Sequence, residues 1–192
     1  MTAGKGVVHS ERTPGNLRDI EKTFHGLQIW VAHPKKKEQT EPTFTHIPDS
    51  ELPCWEQDGV KMKLIAGEAF GRKSPVPVHS PLYMIEMKND KEVELTIGHH
   101  LYGESALYIL EGSIKAEGNV YEPNQLLVAK ESSLCTFTMS ANTTGYLPGG
   151  EPFPEERFIY WNFVSSEREL IEEAKQDWEE QNFPKIPLYV PE

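Results

Sequence analysis

Apolar residues recur along this chain at two periods. Residues 60–65 (VKMKLI) alternate apolar and basic side chains, which predicts a strand with one face in a core and the other in water. Short apolar runs at 26–31, 82–87, 93–97, 106–110, 125–129, 134–139 and 157–164 carry the same signal, and 43–47 offers one more short strand. Turn-forming residues separate them: Glu111-Gly112, Glu117-Gly118-Asn119, Glu122-Pro123-Asn124 and Pro148-Gly149-Gly150. Many short strands with frequent turns predict an all-β chain, an antiparallel sandwich or barrel.

The period changes once, near the end. Ser166-x-x-Glu169 has the form of a capping box. Leu170, Ile171, Ala174 and Trp178 then recur at helical spacing, opposite Glu172, Lys175 and Glu179. This predicts a C-terminal helix that packs its apolar stripe on the sheets and stops at Pro184. Residues 34–58 are rich in Pro, Glu and Lys and read as a linker or domain boundary. There is no internal repeat and no low-complexity tract.

Composition narrows the classes. The chain has 192 residues, of which 38% are hydrophobic, enough to bury a sizeable core. Its 30 acidic and 19 basic residues give a formal net charge of -11, which repels phosphate backbones and argues against direct nucleic-acid binding. The basic run Lys35-Lys36-Lys37 reads as a solvated loop. Cys54 and Cys135 form no CxxC pair and read as two buried thiols of a reducing compartment. No apolar run approaches a membrane span and no signal peptide opens the sequence, so the expected location is the cytoplasm.

The candidate chemistry lies at the start, in GVVHSERT. In a strand, residues i and i+2 share a face, so His9 and Glu11 would project together with Ser10 pointing away. An imidazole and a carboxylate with open positions beside them are the ligand types of non-haem iron and related metals. An isolated His-x-Glu is also common on solvated surfaces, and spacing alone leaves both readings open. The remaining histidines have plainer roles: His25 precedes a Gly and a strand and reads as packing or hydrogen bonding, and His33, His46 and His79 lie in loop-like sequence. No Ser-His-Asp order and no Gly-rich phosphate loop is present.

Longer stretches carry more information than that pair. MTAGKGVVHSE at the start, HGLQIWV at 25–31, Glu41-Pro42, Asp58-Gly59-Val60, IAGEAFGRKSP at 65–75, and GGEP followed by RFIYWNFVSS at 157–166 occur in order along nearly the whole chain. In this order they resemble the pirins, members of the cupin superfamily.

The resemblance implies two cupins. Residues 1–53 would be trailing strands of an incomplete N-terminal cupin, 54–165 a C-terminal cupin, and 166–192 a helix and tail. It implies one metal, usually iron, held in the N-terminal cupin by a His-x-His pair and a His-x-Glu pair; His9 and Glu11 match the second. The first pair has no match and lies upstream of this signature in the family, which implies a start at an internal Met or a natural remnant. In the second cupin, GHHLYGE at 98–104 offers only His100 and Glu104 at suitable positions. Val128 stands where a later His is expected, so this cupin is expected to be metal-free and His99 and His100 to be exposed loop residues. Some pirins oxidise quercetin-type flavonols with dioxygen, which implies an iron-dependent dioxygenase whose activity is weak or absent with half a metal site. Others act as regulatory partners of proteins, so a non-enzymatic binding module is the alternative. A partial barrel leaves strand edges and apolar side chains such as Leu27, Ile29 and Trp30 uncovered, which predicts self-association or poor order in the first fifty residues.

Overall fold

The computed structural model describes residues 1–13, 15–24, 26–129 and 136–185. They fall into two compact units, Thr45–Pro154 and, together, Met1–Phe44 with Glu155–Glu192.

The unit Thr45–Pro154 is an antiparallel two-sheet barrel. Its strands are β1 (Cys54–Gln57), β2 (Val60–Ala69), β3 (Arg72–Lys73), β4 (Leu82–Asn89), β5 (Val93–Thr96), β6 (Glu104–Glu111), β7 (Ile114–Ala116), β8 (Asn119–Tyr121), β9 (Leu126–Ala129), β10 (Thr136–Met139) and β11 (Thr144–Gly150). One sheet runs β1-β2-β4-β11-β6-β9, with β3 paired to β2, and the other runs β5-β10-β7-β8. The alternation at 60–65 does what it predicts: Val60, Met62 and Leu64 are buried while Lys61 is exposed. They join Tyr83, Ile85, Met87, Leu95, Ile109, Ile114, Met139 and Leu147 in a core between the sheets. Full burial of such a side chain contributes about 1.5–3 kcal/mol.

Three hairpins close with two-residue turns whose central residues both have positive φ: Asp58-Gly59, Phe70-Gly71 and Glu117-Gly118. This geometry matches the twist of the flanking strands and favours Gly at the second position. Phe70, at φ +52, is an unusual occupant of the first position and is held by ring stacking.

The segment expected as a turn, Pro148-Gly149-Gly150, lies inside β11, between β4 and β6. Tyr146 pairs with Tyr108 and Gly149 with Ser105, and no pairing to β6 is formed at Leu147 or Pro148, where the proline has no N–H to give. Gly149 is required by its neighbour: a Cβ there would lie 2.2 Å from the Tyr83 ring and 2.6 Å from the Glu104 carbonyl. The Tyr83 and Ser105 hydroxyls hydrogen-bond across this point.

In the other unit, Thr2 and Thr43 form an antiparallel bridge, with N–H···O distances of 2.8 and 3.0 Å. Among the described residues, 26–31 and 44–47 form no strand. Leu27, Ile29, Trp30 and Val31 are each 44–54% exposed, so this stretch has the strand pattern without a ladder partner. The run 157–164, expected as one strand, folds into a hairpin of β12 (Phe158–Tyr160) and β13 (Phe163–Ser165). Trp161, at φ +52, opens its two-residue turn. Helix α1 (Arg168–Glu179) packs on both strands through buried Ile171, and the Arg168 guanidinium lies 4.1 Å from the Phe158 ring centre. Among the described residues no helix is long and apolar enough to cross a membrane.

The expected capping box is absent. The residue preceding the helix is Glu167, and no side chain caps its first turn. The Ser166 hydroxyl and backbone N–H instead donate to Glu38, at 3.0 and 2.9 Å. Both bonds are charge-assisted and hold Ser166 against the buried carboxylate of Glu38.

Candidate functional site

His9 and Glu11 lie on the stretch that follows Gly6, where the described residues form no ladder, and both are exposed. The alternation that would point them the same way is therefore not imposed by pairing. An imidazole nitrogen and a carboxylate oxygen suit iron in type. Among the described residues, however, no three His, Cys, Asp or Glu side chains converge as a metal cluster. The residues present thus fit a metal in chemistry but not in number, and His9 with Glu11 is a two-donor set.

His100 and Glu104 join no such cluster either. His99 is exposed as expected, but His100 is half-buried in the short turn Gly98–His100. Its ring stacks on Phe70 at 4.3 Å and lies 3.9 Å from the His99 ring. Burial, and then the neighbouring His99 charge, hold its pKa below the ordinary histidine value against the opposing pull of Asp58. Phe70 continues the row of rings to Trp55 at 5.3 Å, and the Arg72 guanidinium covers Trp55 at 4.5 Å.

Of the thiols, Cys54 is free and exposed, not buried, because it begins β1 at the outer edge of its sheet. Cys135 and His25 lie outside the described residues.

One buried polar centre was not singled out by local sequence patterns. Arg157 and Glu38 are each 9% exposed in their side chains, and Arg157 Nε lies 3.2 Å from Glu38 Oε1. The guanidinium also donates to the carbonyls of His33, from Nε at 3.2 Å and Nη2 at 2.9 Å, and of Glu155 and Glu156, from Nη1 at 3.1 and 3.0 Å. Glu38 accepts from the Ser165 hydroxyl at 3.1 Å as well as from Ser166. Lys35, expected as part of a solvated run, pairs with Glu167 at 2.8 Å. One buried charge pair thus ties the turn Lys35–Lys37 to the hairpin and the start of α1. No local signal could have paired these residues, since the contact is between distant parts of the chain.

On the barrel's large sheet, the Tyr146 hydroxyl donates to Glu86 at 3.0 Å. Burial, then this bond, pushes the Tyr146 pKa up to about 12. For Glu86 burial acts upward, but hydrogen bonds from Lys88 and Tyr146 and the charges of Lys88 and Lys63 outweigh it, and its pKa falls below the ordinary value.

Comparison with known proteins gives this geometry a family. A "Pirin-like protein" of Caulobacter vibrioides is 43% identical over 179 residues, covering 93% of this chain and 61% of that protein. A Pseudomonas aeruginosa protein named provisionally as a quercetin 2,3-dioxygenase is 33% identical over 183 residues, covering 94% of this chain and 56% of its own length. The chain therefore spans about three-fifths of the curated relatives it matches. A crystal structure of quercetin 2,3-dioxygenase from Acinetobacter baumannii superposes with a TM-score of 0.68 at 28% identity, over 84% of this chain and 54% of that one. The family description "Pirin C-terminal cupin domain" matches residues 82–184, and this chain belongs to the pirin family.

Proposed function

We propose that this chain contributes the C-terminal cupin and half of the metal-binding set of a pirin-type, iron-dependent flavonol dioxygenase. The observation that carries the reading is the exposed pair His9 and Glu11: the donor types suit iron, and no third donor joins them among the described residues. The likeness to proteins named as quercetin 2,3-dioxygenases supports the substrate class. Iron, when bound, would supply a Lewis acid toward the flavonol oxygens. The part of this chain is to offer one imidazole and one carboxylate to it. Two donors without supporting groups hold metal weakly, because neither geometry nor ligand orientation is fixed.

Oxygen uptake by the 192-residue chain, supplied with ferrous iron and quercetin, tests this reading. The expected result is no flavonol-dependent oxygen consumption above that of free iron. Robust turnover by this chain alone would overturn the half-site. If the chain holds no iron under any condition and instead captures a defined protein partner, the non-enzymatic binding module replaces the dioxygenase reading.

A further inference from the structure

Among the described residues no ladder aligns His9 and Glu11, so the course of their stretch is set at its root. The Lys5 N–H donates to the Thr40 carbonyl at 2.9 Å, and the Gly6 N–H turns back to the Ala3 carbonyl at 3.0 Å. The Lys5 ammonium also pairs with Glu41 at 2.6 Å. Gly6 then takes φ +124, a conformation that side chains resist, and a Cβ there would lie 3.0 Å from the Phe183 ring. Val7 and Val8 are half-buried, and exposure begins at His9.

Phe183 reaches Gly6 from the far end of the chain. After α1, Gln181 takes a left-handed conformation at φ +59. Its N–H donates to the Trp178 carbonyl at 3.2 Å, and the Asn182 N–H donates to the Asp177 carbonyl at 2.8 Å. This pair of bonds is the Schellman helix stop, which satisfies the last carbonyls and reverses the chain. The reversal lays the Phe183 ring parallel to Phe163 of β13, with centres 6.0 Å apart, and edge-on to Trp178 at 6.1 Å. Phe183 is thus backed by two rings and faces Gly6, all within the unit Met1–Phe44 with Glu155–Glu192. We propose that Phe183 is a positioning residue for His9 and Glu11: it seats Gly6 and so sets the direction in which Val7 and Val8 carry the two donors. The proposal rests on the reading of that pair as metal donors. An anchored root leaves less chain entropy to be lost when both donors meet one cation.

Nuclear magnetic resonance of the full chain tests this in two steps. Amide relaxation over residues 7–11 is measured first without metal, and manganous ion is then titrated while line broadening at His9 and Glu11 is followed. Phe183→Ala should raise the fast mobility of residues 7–11 and raise the manganese concentration for half-broadening by about threefold or more. Phe183→Tyr, which keeps the ring, should behave as the parent, and His9→Ala should abolish the selective broadening. Unshifted amide signals of β2 and β4 report that each variant folds. Unchanged mobility in Phe183→Ala, or raised mobility with an unchanged manganese midpoint, would overturn the positioning role. Raised mobility in Phe183→Ala without selective broadening in the parent would instead overturn the donor reading, and this role with it.

Discussion

Glu38 and Arg157 face each other at 3.2 Å with both side chains almost wholly out of water. Ser165 and Ser166 complete the carboxylate's shell, and three backbone carbonyls complete the guanidinium's. Removing one member of such a pair strands a buried charge.

Glu38→Ala and Arg157→Ala should therefore each destabilise the unit they join by about 3–5 kcal/mol. The double variant should cost less than the sum of the two, because it leaves neither charge unpaired. Urea titration of both single variants and the double variant measures this. Strict additivity would mean that the two groups act independently.

Gly149→Ala places a methyl group into the Tyr83 ring and against the Glu104 carbonyl. Overpacking of this kind costs about 1–3 kcal/mol. Combining it with Tyr83→Leu should recover part of the loss, since the ring is one of the two obstructions. A double-mutant cycle read by thermal melting decides whether the clash or the backbone contact dominates.

His100 makes stability depend on pH in a defined direction. Its folded-state pKa is lowered by burial and by His99, so the unfolded chain binds the proton more readily than the folded one. The contribution is present above the unfolded value of 6.5 and is lost as pH falls below it through the folded value. His100→Gln should flatten this part of the profile. Glu86, whose folded pKa is also lowered, acts only below its ordinary value of 4.5. Denaturation midpoints of parent and variant from about pH 8 down to about pH 5 separate the two groups. A variant with the parent's slope would remove His100 from the account.

Leu27, Ile29, Trp30 and Val31 expose apolar surface in a strand-like pattern without a ladder partner among the described residues. Concentration-dependent self-association is expected in sedimentation velocity, and Leu27→Ser with Ile29→Ser should shift the distribution toward monomer. A monomer at all concentrations, with strong hydrogen-exchange protection over 26–31, would contradict it.

What could be read from the sequence follows from how local each cause is. The alternation at 60–65 placed β2 because side-chain period alone decides which face is buried. β11 was hidden because Pro148 and Gly149 are turn residues in isolation, and the groups that explain the glycine, the Tyr83 ring and the Glu104 carbonyl, come from other strands. The hairpin at 158–165 read as one strand because its turn residue, Trp161, is itself a strand former. Ser166 read as a cap because its competitor, Glu38, comes from a distant part of the chain. His9 and Glu11 were legible as donor types; the ladder that would align them was not there to be read from the sequence alone.

Iron stoichiometry tests the central claim most directly. The chain is equilibrated anaerobically with ferrous iron, passed through a desalting column and assayed for metal beside His9→Ala and Glu11→Ala. The account predicts well under one iron per parent chain, and less in either variant. One firmly held iron per parent chain, or equal retention in parent and variants, would contradict it.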